Sequence, residues 1–117
     1  MGNIMEKAVA IQCSVWPRGP VPDDFHEPVT GDLPVLLLSG ELDPVTPPEY
    51  GDQVAVHFRN SMHLVAPGQG HIATTRGCMG RLVSEFSIAG GSEDLDTSCI
   101  SQMQASPFFL SLTGPTP

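Results

Sequence analysis

The chain has 117 residues and a formal net charge of -8, with only five lysines and arginines against thirteen aspartates and glutamates. That balance argues against nucleic-acid binding, which needs clustered cations to neutralise phosphates, and no apolar run approaches the length of a membrane-spanning helix. At this length and with an ordinary 40% hydrophobic content, the chain is one globular domain at most.

The first residues, Met1 to Lys7, hold no basic stretch followed by an apolar core, so no signal peptide is read there. Glu6 stands where a myristoylation motif requires serine or threonine. Ile4, Met5, Ala8 and Val9 recur at helical spacing and predict a short helix over 4–13, ended by Trp16-Pro17. Trp16 is expected to be a packing anchor. Pro20, Pro22 and Pro28 make Arg18 to Asp32 an extended connection. Residues 1–32 are therefore read as an N-terminal helix and Pro-rich connection, 33–110 as the principal domain, and 111–117 as a flexible tail.

The run Pro34-Val35-Leu36-Leu37-Leu38-Ser39 shows no alternation, as expected of a strand covered on both faces in a parallel sheet. It stops at Gly40-Glu41-Leu42-Asp43-Pro44. Next comes a helix start, with Thr46 as cap, Pro47 at the first helical position and Glu49 completing a capping box. Tyr50, Val54 and Phe58 follow on one face, and Gly51 weakens the helix. A second strand is expected at 62–66, stopping at Pro67-Gly68-Gln69-Gly70-His71. Strand, helix, strand makes a right-handed βαβ unit. Met79, Leu82, Val83, Phe86 and Ala89 then predict the clearest amphipathic helix, closed by Gly90-Gly91. Beyond it the chain reads as irregular, with Phe108-Phe109-Leu110 docking on the core.

In open α/β sheets, ligands bind beyond the carboxyl ends of the strands. Asp43 and His71 each lie in a loop just past a strand end, one crossover apart. A carboxylate on the Nδ1–H of a histidine fixes its tautomer and stabilises its cation, so the pair reads as the acid and base of a serine hydrolase. Taken singly, each has a plainer reading: a turn aspartate before Pro44, and a polar loop histidine. Only Ser14 and Ser39 precede Asp43, and neither lies in a Gly-x-Ser-x-Gly elbow, so no nucleophile is read. His63, His71 and Cys78 have a spacing that matches none of the usual zinc patterns, and no metal or cofactor is expected.

The segment from Pro34 to Pro47 resembles the acid-bearing segment of α/β-hydrolases, and His63-Leu64-Val65 with Gly68-Gln69-Gly70-His71 resembles their histidine segment. With Cys78, Arg81-Leu82-Val83, Glu85-Phe86 and Leu95-Asp96-Thr97-Ser98-Cys99, the pattern is similar to the C-terminal, TAP-like domain of the tripeptidyl aminopeptidases. These are secreted bacterial serine peptidases related to proline iminopeptidases. Cys13 with Trp16-Pro17 resembles the stretch just before that domain, the end of the upstream or cap region, so the resemblance runs from Cys13 to Phe109.

The resemblance implies an α/β fold class: the C-terminal part of an α/β-hydrolase fold, a βαβ unit plus a C-terminal helix with an incomplete sheet. It implies an exopeptidase acting at free N-termini, with Asp43 as triad acid, His71 as general base and the serine on an upstream elbow. It also implies a Cys78–Cys99 disulfide, with Cys13 paired upstream; three free thiols of a cytosolic protein are the alternative, since connectivity cannot be read from sequence. For the full-length family it implies a secreted or cell-envelope setting.

The expected function is thus the acid- and histidine-bearing portion of a serine exopeptidase, inactive by itself and meeting peptide substrate only with an N-terminal half. Two strands leave apolar edges open, so the chain is expected to need that half, to self-associate or to fold marginally. The alternative is a non-catalytic partner or split-enzyme half that completes another chain's sheet.

Overall fold

A computed structural model describes residues 3–108. Helix α1 spans Ile4–Val15 and stops where Trp16, held extended by the proline after it, leaves the helical region (φ -80°, ψ 135°). No residue of α1 is buried, and Trp16 is 73% exposed. The expected packing anchor is therefore not one: the Pro-rich connection stays at the surface and brings no apolar face of the described residues onto the indole.

Strand β1 (Val35–Gly40) and strand β2 (Ser61–Ala66) pair in parallel, in register from Val35 with Ser61 to Gly40 with Ala66. Helix α2 (Pro48–Ala55) makes the crossover, so the βαβ unit read from the sequence is present. Phe58 falls beyond α2, in a turn bridged to Gly31, and lines the same cavity as Tyr50 and Val54. After β2 come a 3₁₀ turn at Ala73–Thr75, helix α3 (Met79–Ala89) and a second 3₁₀ turn at Ser98–Gln102, inside the stretch expected to be irregular. Gly90 ends α3 in the left-handed conformation (φ 73°).

Strand alternation decides which side each residue serves. Leu36, Leu38, Met62, Leu64 and Ala66 point to one face, where Ala73, Met79 and Leu82 complete the core. Ser39 and His63 point to the other face, towards α2. Helices thus cover both faces of the sheet, but the sheet has only two strands among the described residues. Only five hydrophobic side chains are buried among the described residues, and the radius of gyration of 19.2 Å exceeds the ~13 Å of a compact domain of this length.

The Cys78–Cys99 disulfide is present, joining the start of α3 to the second 3₁₀ turn and holding Ile100 and Met103 against the core. A closure spanning 21 residues is worth about 3 kcal/mol in the chain-entropy model. Cys13 is free and exposed. Phe108 is 89% exposed rather than docked, and its neighbours Phe109 and Leu110 lie outside the described residues.

Candidate active site

The loop that leaves β1 wraps its donors around one carboxylate. Asp43 accepts hydrogen bonds at Oδ1 from the backbone N–H of Val45 (2.8 Å) and Thr46 (3.0 Å), and at Oδ2 from the Thr46 hydroxyl (2.8 Å). This corrects the expected capping box, because the hydroxyl serves Asp43 and makes no cap. The N-cap position is Pro47, and helix α2 begins at Pro48. Pro48 has no N–H, so of the two amides a Thr46 cap could bond only that of Glu49 exists, and the hydroxyl is turned to Asp43 instead.

His71 approaches from the loop after β2, its Nδ1 2.8 Å from Asp43 Oδ2 and 3.3 Å from the Thr46 hydroxyl. A carboxylate only accepts, so Nδ1 carries the proton. The Asp43 side chain is 4% exposed and that of His71 47%, which buries the acid and leaves the histidine open to solvent. Burial pushes the Asp43 carboxyl up. The bonds from His71, the Thr46 and Val45 amides and the Thr46 hydroxyl outweigh that and hold it far below the usual carboxylate range.

The two loops are stitched along their backbones. Glu41 N–H donates to Ala66 O (3.1 Å), Leu42 N–H to Gln69 O (2.8 Å), and Gly68 N–H to Glu41 Oε2 (2.7 Å). In the histidine loop Gly68 takes a positive φ of 64° and Gly70 does not. Gln69 Nε2 donates to Gln104 O (2.7 Å), so the segment anchored by the disulfide also restrains this loop.

Directly after His71, Ile72 is held at φ 65°, ψ 67° with its residue 61% exposed. A β-branched side chain pays steric strain in that region, about 1–3 kcal/mol. The strain turns the chain sharply behind the histidine and into the 3₁₀ turn. Ile72→Gly is expected to raise stability by about 1 kcal/mol or more, read as a higher urea midpoint at unchanged slope; a lowered midpoint would show that the isoleucine contributes packing that outweighs its strain.

His63, His71 and Cys78 do not converge as a ligand set, because Cys78 is bonded to Cys99 and His63 has other partners. Among the described residues no group of three or more potential ligands is placed to hold a metal ion. The sequence assigns His63 no partner, yet its Nε2 lies 2.9 Å from Ser39 Oγ and its Nδ1 2.8 Å from Asp52 Oδ1. The available signal was a serine and a histidine on like-facing positions of two apolar runs.

A cavity of about 440 Å³ opens at the other end of the sheet, where Pro34 and Asn60 precede the strands and Ser61 begins β2, away from Asp43 and His71.

A parallel β-α-β unit flanked by helices, with an Asp–His pair beyond the carboxyl ends of its strands, is a partial α/β-hydrolase-like fold. The family model for TAP-like proteins matches residues 1–99, and the chain belongs to that family, which links it to the hydrolase and peptidase superfamily. No curated protein and no solved structure matches it.

Proposed function

We propose that this chain supplies the acid, Asp43, and the general base, His71, of a serine exopeptidase that removes residues or short peptides from free N-termini. The nucleophile would come from a Gly-x-Ser-x-Gly elbow outside this sequence, carried on strands that extend the sheet from β1. The observation that supports this most is the Asp43–His71 pair itself. The acid is buried and bound to Nδ1, and Nε2 has no hydrogen-bond partner among the described residues. An imidazole held in this way can take a proton from a serine and return it to the leaving amine.

Family membership supports the peptidase reading at the level of the superfamily, and the choice of aminopeptidase rests on the sequence resemblance. The two-stranded sheet supports the expectation that further strands complete it. A non-catalytic role in completing another chain's sheet is the second reading, and the same feature supports it.

Co-expression with a serine-bearing N-terminal portion of an α/β-hydrolase separates the two. Release of N-terminal residues or tripeptides from chromogenic peptides, lowered about 10⁴-fold or more by His71→Ala, is the expected result. A stable complex without hydrolysis would leave only the binding role.

A further inference from the structure

Ser39, His63 and Asp52 reproduce the connectivity of a catalytic triad, serine to Nε2 and carboxylate to Nδ1, on the face of the sheet under α2. Access argues against catalysis there. Ser39 is 8% exposed and the His63 side chain 9%, and the helix backbone lies directly on the ring. A Cβ added at Gly51 would run into Nε2 and Cε1 of His63 and come within 3.0 Å of Cδ2. Gly51, unfavourable in a helix on propensity alone, is what allows α2 to lie this close.

The three residues come from three different elements: Ser39 from β1, His63 from β2 and Asp52 from the second turn of α2. The loop bearing Asp43 runs from the end of β1 to the start of α2. Ser39 lies one residue before the end of β1 and Asp52 is the fifth residue of α2, so a single imidazole bonds to the elements on both sides of the loop. Burying an imidazole between sheet and helix is unfavourable unless both ring nitrogens are bonded, and here both are.

We propose that His63 is a positioning residue: through Ser39 and Asp52 it fixes the separation of β1 from α2 and thereby holds the Asp43 loop against His71. Its bearing on catalysis rests on the reading of Asp43 and His71 as acid and base, but the mechanical link does not.

Asp52→Ala is the informative variant. The Asp52 side chain is 72% exposed, and alanine favours the helix, so lost order in the loop cannot be assigned to a weaker α2. Amide hydrogen exchange on the full chain is the readout, at Val45 and Thr46, whose N–H groups donate to Asp43. Both are expected to exchange about tenfold faster in Asp52→Ala, with Leu64 and Leu82 in the core unchanged. Asp52→Asn, whose amide oxygen still accepts from Nδ1–H, should restore slow exchange.

Unchanged rates at Val45 and Thr46 in Asp52→Ala would overturn the proposal. So would a uniform acceleration that includes Leu64 and Leu82, which would mark a general loss of stability. If the co-expressed portions never hydrolyse peptide while these two amides respond as expected, the peptidase reading fails and the positioning role stands. Hydrolysis with unresponsive amides would do the opposite, removing the positioning role and leaving the acid and base in place.

Discussion

Asp43→Asn is expected to lower kcat for peptide hydrolysis by about 10⁴-fold in an enzyme completed with its serine-bearing strands. The carboxylate accepts from Nδ1 of His71 and from three loop donors, so the histidine carries its proton at Nδ1 and presents a bare Nε2. An asparagine amide can turn its NH₂ towards Nδ1. The imidazole proton then moves to Nε2, and the ring cannot accept a proton from serine. A loss of only a few-fold would show that the pair is not an acid and base.

The same variant carries a pH signature. The Asp43 carboxyl titrates below its unfolded value, because its hydrogen bonds outweigh the opposing effect of burial. The stability it contributes is therefore fully present above roughly pH 4 and lost as pH falls from there towards the folded value. Urea midpoints of the wild type should fall more steeply with acidification across that window than those of Asp43→Asn, and parallel curves would contradict the assignment.

Gly40→Ala is expected to lower stability by about 1–3 kcal/mol and to reduce kcat by about 10²-fold. A Cβ on Gly40 would overlap the backbone oxygens of Gly70 and Gln69, and backbone cannot rotate aside as a long side chain can. The histidine loop would have to move away from the end of β1, separating His71 from Asp43. Gly70→Ala is the matched control, since a Cβ there meets nothing within 4 Å. Denaturant midpoints and kcat measured on both variants would decide it; equal values in the two would mean that the loops tolerate displacement.

Much of this chain could be read before its structure. The continuous apolar run before Gly40, the helical spacing from Met79 to Ala89 and the Gly90 stop are local signals, and the elements appear where those signals lie. Asp43 and His71 were legible as a pair because each lies in the loop that follows a strand, and parallel pairing brings the ends of adjacent strands together. The disulfide was legible through the family pattern rather than from spacing.

Hydrogen-bond partners were not legible. The hydroxyl of Thr46 bonds Asp43 instead of opening α2, and His63, marked out only as a histidine within an apolar run, joins Ser39 and Asp52. Nor did the sequence show that Trp16 and Phe108 lie uncovered. Periodicity tells which face of an element a residue occupies, because that is fixed by backbone geometry. Which group lies opposite, and at what distance, is fixed only when separate elements converge. The sequence by itself thus determined the βαβ unit, its C-terminal helix and the positions of acid and histidine, while the close approach of α2 over Gly51 and the bonds that hold each imidazole were decided by tertiary packing.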